Sequence, residues 1–123
     1  NIVVFVHTTC DNVFGGYTAT GWDARKERKR SYSRDDQAFV FSVRSNKGWK
    51  MALSNVTARL ADKALAYCDG TFLNFGSAWI FYLNGGVLRH QNPSNYEAFP
   101  QDHYLLGGEH MSRVHEIEVF QLQ

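Results

Sequence analysis

Phe14-Gly15-Gly16-Tyr17-Thr18-Ala19-Thr20-Gly21-Trp22 is the stretch on which the reading of the chain turns. Apolar, strand-forming runs flank it on both sides. A double glycine inside such a run marks either a bulge or the close approach of another backbone, because glycine lacks the Cβ that would obstruct either. Phe14, Tyr17 and Trp22 anchor the region to a core, so the stretch predicts the kinked second strand of a hairpin.

Working outward, residues 2–7 form a continuous β-branched apolar run, the pattern of a central strand covered on both faces. Asp11 and Asn12 follow as turn residues that tolerate unusual dihedrals, and the strand with the double glycine spans residues 13–20. Residues 38–44 and 49–53 flank Asn46-Lys47-Gly48 as a hairpin. Residues 54–63 read either as a short helix capped by Ser54, where Ala58, Leu60, Ala61 and Ala64 favour helix, or as an irregular turn. Further strands are predicted at 64–68, at 78–83 (too apolar for a sheet edge) and at 87–89 after the Asn84-Gly85-Gly86 turn. The closing strand covers 114–122, with Glu116, Glu118 and Phe120 on one face and His115, Ile117 and Val119 on the other. Many short strands without strand-helix-strand alternation predict a mainly β fold, a sandwich of two antiparallel sheets with one or two short helices.

A chain of 123 residues fits one domain with a real core, and 1–123 is read as a single domain. Because it opens at Asn1 directly on a strand, it is expected to belong to a longer protein. Aromatic content of 15% with only two prolines lies far from the composition of disorder. A formal net charge of +1 gives no global reason to expect nucleic acid or an anionic membrane as partner. The local exception is the block of residues 23–36, where Arg25, Lys26, Arg28, Lys29 and Arg30 could meet an anionic partner. Asp23, Glu27, Asp35 and Asp36 dilute it, and it reads as a solvated loop. No apolar run reaches the roughly 18 residues that span a bilayer and no signal peptide opens the chain, so a soluble, cytoplasmic protein is expected. Asn55-Val56-Thr57 matches a glycosylation sequon and is read as chance.

Candidate chemistry is sparse. Cys10 and Cys68 show neither CxxC nor zinc-finger spacing and read as free thiols. His103, His110 and His115 match no zinc-ligand pattern, and His7 reads as a hydrogen-bonded histidine, buried or at the rim. Cys10 with His7 could form a thiol nucleophile and base; Glu116 and Glu118 resemble paired carboxylates only loosely. No Walker loop, GxSxG elbow or HExxH is present. No catalytic residue, metal or cofactor is therefore assigned. The alternatives are a redox- or metal-dependent enzyme built on Cys10 or the histidines, and a small-ligand-binding sandwich using Trp22, Trp49 and Tyr96.

Read in order, Phe14-Gly15-Gly16-Tyr17 with Trp22, Ala38-Phe39-Val40-Phe41-Ser42-Val43, Ala64-Leu65-Ala66-Tyr67-Cys68, Asn74-Phe75-Gly76, Asn95-Tyr96-Glu97, Leu105-Leu106-Gly107-Gly108-Glu109 and Val114-His115-Glu116-Ile117-Glu118-Val119-Phe120 resemble the TLDc family over essentially the whole chain. The resemblance implies a two-sheet sandwich and a non-catalytic interaction domain. It further implies a role in oxidative-stress protection, in regulation of the vacuolar proton pump (V-ATPase) or in vesicle trafficking. V-ATPase subunits would be the partners, in the cytoplasm and at organelle membranes reached through them. The matching positions are Gly15, Gly16, Tyr17, Trp22, Gly76, Tyr96, Gly107, Gly108, Glu109 and Glu116. Structural roles are expected for them: bulges and turns for the glycines, core for the aromatics, a buried hydrogen bond to backbone N–H groups for Glu116. Two departures stand out. The sequence opens on the strand that helical residues usually precede, so a fragment or a shortened copy is expected, and Asp69-Gly70-Thr71-Phe72-Leu73 replaces the glycine-proline pair often found before the Phe-Gly motif.

Overall fold

The structure, a computed structural model, describes residues 1–20, 31–48, 52–55, 61–62, 64–67, 71–75, 79–82, 86–90 and 111–123. Among the described residues there are ten strands: β1 (Ile2–Thr8), β2 (Val13–Thr18), β3 (Ser31–Ser33), β4 (Phe39–Arg44), β5 (Ala52–Asn55), β6 (Leu65–Tyr67), β7 (Thr71–Phe75), β8 (Trp79–Tyr82), β9 (Val87–His90) and β10 (Met111–Gln121). All pairings are antiparallel, so the predicted mainly β, antiparallel class is what the protein has. The strands are joined in one ten-stranded ladder of order β3-β6-β7-β8-β9-β10-β1-β2-β4-β5, where two separate sheets were expected. The link is β10, which pairs through Met111–Arg113 with β9 and through Val114–Gln121 with β1.

The two wings of the ladder pack against each other at Gly16. Val4, Val6 and Thr8 of β1, Phe14, Gly16 and Thr18 of β2, and Val40 and Ser42 of β4 alternate inward and are buried, as period-two strands with one covered face require. They share a cluster with Ala61, Ala64, Leu65 and Phe75 from the other wing. In strand order four strands separate β7 from β2, yet the Phe75 ring lies on Gly16: a Cβ there would sit 2.5 Å from its Cε2 and Cζ atoms. Burial of side chains such as Phe14, Leu65 and Phe75 contributes about 1.5–3 kcal/mol each.

Of the two explanations for the glycines, close approach is correct. The β1–β2 register runs unbroken through Val4↔Gly16 and Phe5↔Gly15, and the one irregularity against β4 falls between Val13 and Phe14. A Cβ at Gly15 would overlap the Val4 carbonyl oxygen and approach Phe41 Cζ to 2.8 Å. Positive φ is found instead at Gly48 (72°) in the β4–β5 turn and Gly86 (62°) before β9, both at predicted hairpins, and at Asp11 (65°), a residue type that tolerates it.

Other expectations are corrected. Ser54 does not cap a helix; it is a β5 residue opposite Val40. Residues 56–60 of the proposed helix lie outside the described residues, as does the 49–51 start of the predicted strand. Asp35 is not part of a solvated loop: it is 3% exposed and gathers donors from two segments. Thr18 Oγ1 and the Ala19 N–H (2.8 Å) donate to its Oδ2, with Thr20 N–H at 3.4 Å, and the Gln37 N–H donates to its Oδ1 (2.9 Å). By drawing the Ala19 and Thr20 amides away from the ladder, it ends β2 at Thr18, two residues short of the predicted boundary. The exposed Arg34–Asp36 pair beside it adds little by comparison. Finally, His115 does not share a face with Ile117. The β1–β10 register passes from His7↔Glu116 to Thr8↔Val114, making His115 the extra residue of a bulge, and its ring meets that of His7 at 5.3 Å.

Two substitutions test these constraints. Gly16→Val places a branched side chain in the volume of the Phe75 ring and should lower stability by about 3 kcal/mol in urea denaturation; a loss below half of that would show that the two wings part easily. Asp35→Ala removes the acceptor shared by the Thr18 hydroxyl and the Ala19, Thr20 and Gln37 amides and should cost about 2–3 kcal/mol, whereas Asp36→Ala, which removes an exposed pair, should stay within about 0.5 kcal/mol.

Candidate functional site

The face of the sheet turned away from the core is the most distinctive surface of the described residues. Residues opposite one another in antiparallel strands share a face, so the pairings assign Phe120, Glu118 and Glu116 of β10, Val3, Phe5 and His7 of β1, Val13, Gly15 and Tyr17 of β2, Phe39 and Phe41 of β4 and Leu53 of β5 to it. Aromatic rings run across it almost without interruption. Phe120 meets Phe5 edge-on at 6.0 Å, Phe5 meets Phe41 edge-on at 5.4 Å, Phe41 lies 6.1 Å from Phe39, and Phe39 stacks on Tyr17 at 5.0 Å. The Phe5–Phe41 contact spans β2, and it exists because Gly15, opposite both, has no side chain to separate them. Edge-on and offset rings of this kind attract beyond their burial by about 0.5–1.5 kcal/mol per pair. Leu53 and Phe120 at its margins remain 55% and 47% exposed.

At one end of the row a cleft of about 210 Å³ opens between Phe5, Val6, His7, Val13, Glu116 and Glu118. Its chemistry is mixed, with apolar walls from Phe5 and Val13 and two carboxylates at the mouth. Glu116 is exposed, which corrects the buried hydrogen bond expected of it. Neither Glu116 nor Glu118 forms an ion pair among the described residues. The nearby charges are otherwise engaged: Asp11 Oδ1 lies 3.1 Å from His7 Nε2 and 3.2 Å from an Arg44 guanidinium nitrogen. These contacts lie at the surface and are weak individually, but they engage His7 Nε2 with Asp11 rather than with Cys10. The thiol–imidazole pair considered from the sequence is thus not assembled; Cys10 is free and exposed.

The β1–β2 turn beside the cleft is held from below. Asn12 is fully buried; its N–H donates to Thr8 Oγ1 (3.2 Å), and its Oδ1 accepts from the Asn46 N–H (2.9 Å). The Asn46 side-chain amide donates to the Cys10 carbonyl at 2.9 Å. The Asn12 Nδ2 is the one buried side-chain donor among the described residues without a partner. These bonds tie the β1–β2 turn to the β4–β5 turn and fix the frame on which His7 and Asp11 sit.

Of the residues singled out by the sequence, the structure places Gly15 and Tyr17 in the aromatic face, Glu116 at the cleft, and Gly16 in the core. Trp22, Gly76, Tyr96, Gly107, Gly108 and Glu109 lie outside the described residues, as do the basic run from Arg25 to Arg30, Trp49, Cys68, His103 and His110. The sequence reading missed Phe5, Phe41 and Phe120 as a surface. Each was legible as an alternating strand residue, but their juxtaposition depends on pairing order, which places β10 beside β1 and β4 beside β2. Among the described residues no group of three or more His, Cys, Asp or Glu is placed to hold a metal ion, and no helix is long and apolar enough to cross a membrane.

A family model described as the TLDc domain matches residues 1–123, the full length of the chain. No curated protein matches it.

The exposed position of Cys10 predicts that maleimide labels it in the native protein without denaturant, and that Cys10→Ser changes stability by no more than about 0.5 kcal/mol. Labelling only upon unfolding would contradict its placement in the turn.

Proposed function

The chain belongs to the TLDc domain family, and on that premise we propose that it is a non-catalytic interaction domain. It acts in protection against oxidative stress, in regulation of the V-ATPase and vesicle trafficking, or in both, in the cytoplasm and at organelle membranes reached through its partners. The observation that carries the reading is the family match over the whole chain. The aromatic outer face supports it. Large apolar surfaces left at the exterior of a folded domain mark contact sites for other macromolecules more often than chance exposure, and aromatic residues are enriched where binding energy concentrates. The position of Gly15 accords with this: a residue that would ordinarily pack a side chain on that face instead lets two rings meet across the strand.

The domain immobilised on a resin is expected to capture V-ATPase subunits from native lysate, and Phe120→Ser, which removes a half-exposed ring, is expected to reduce the capture while the protein still melts in one cooperative transition, lowered by several degrees for the lost contact with Phe5. Failure to recover any V-ATPase subunit, under conditions in which another TLDc protein recovers them, would overturn the assignment.

A further inference from the structure

We propose that the aromatic row and the adjoining cleft form one docking groove for a cationic amphipathic segment of a partner protein, its apolar side on Phe5, Phe41 and Phe120 and a lysine or arginine in the cleft at Glu116 and Glu118. This deepens the reading of the chain as an interaction domain and rests on it.

Charge complementarity selects the occupant. Glu116 and Glu118 are two apart on β10 and project from the same face, about 7 Å from each other by strand geometry. Both line the same cleft, and neither has a cationic partner among the described residues, while Arg44 close by is taken by Asp11. A cleft with Phe5 and Val13 as walls and carboxylates at its mouth suits a side chain that is apolar along its stem and charged at its tip, which describes lysine and arginine. The stem covers the Phe5 ring, and the head donates charge-assisted hydrogen bonds to the carboxylates. An anionic peptide or an anionic lipid surface would instead bring like charge against Glu116 and Glu118. The row of rings beyond the cleft supplies apolar contact for the rest of the segment, as grooves that receive amphipathic helices do.

The probe is a fluorescent synthetic peptide of leucine and lysine, roughly 18 residues long so that it forms about five helical turns, titrated with the whole chain and followed by anisotropy. A peptide of the same pattern with glutamate for lysine is the control. The leucine–lysine peptide is expected to bind at least about tenfold more tightly than the control, and to lose affinity as salt rises from about 50 mM to about 500 mM. Glu116→Gln and Glu118→Gln should each weaken it about threefold, and Phe120→Ser should weaken it by about tenfold or more. Glu116 and Glu118 are exposed and unpaired among the described residues, so the thermal melts of their variants should match that of the parent, whereas Phe120→Ser gives up the edge-on contact with Phe5 and should lower the melt by several degrees while keeping one cooperative transition. Equal affinity for both peptides, or binding indifferent to the two glutamines, would overturn the groove. So would sedimentation showing that a second copy of the chain occupies the face, with Phe120→Ser releasing monomer. The two readings separate cleanly. V-ATPase capture that persists in Glu116→Gln/Glu118→Gln refutes the groove and leaves the proposed function standing; selective peptide binding without V-ATPase capture does the reverse.

Discussion

The missing side chains of Gly15 and Gly16 are the constraint on which the rest of the molecule depends. They point to opposite faces of β2, and each face needs the space for a different reason. Inward, Gly16 receives the Phe75 ring, so a strand from the far wing of the ladder seats directly on backbone. Outward, Gly15 lies between Phe5 and Phe41 and lets the rings of two non-adjacent strands touch. A single dipeptide therefore joins the core and shapes the surface, and neither role involves the backbone freedom for which glycine is usually invoked. Both are matters of volume.

Polar groups define where the strands stop. Asp35 replaces the ladder for the amides after Thr18, and Asn12 with Asn46 binds two hairpin turns into one platform. Buried polar atoms are costly without partners and directional with them, so these side chains position the strand ends more narrowly than apolar packing could. The surface cluster of His7, Asp11 and Arg44 stands on that platform, with the bulged His115 ring against His7.

Much of the fold was legible because alternation and turn residues are local signals. β1, the β4–β5 and β8–β9 hairpins and the long closing strand follow from them, and Asp11 and Gly48 adopt the left-handed backbone their residue types suggested. The failures have physical causes. Ser54 has the chemistry of a helix cap, but pairing with Val40 outweighed that local preference. Asp35 sits in a run of charges that composition reads as solvated, and only the fold shows that it turns inward toward β2. The facing of His115 followed from counting residues by twos, which a bulge interrupts. The aromatic face was the least legible, because its members come from four strands whose order along the sheet differs from their order along the chain.

The placement of Glu116 and Glu118 has a bearing on solubility as well. Among the described residues, Glu116 through Gln121 pair only with β1, and Val119, Phe120 and Leu122 are all substantially exposed. A long strand of that composition, paired on one side, is a template on which another chain could add itself and seed cross-β aggregation. Charges repeated along such a strand act as gatekeepers: stacking identical strands in register would bring carboxylate over carboxylate. The acidic pair thus opposes the self-association of this strand into fibres.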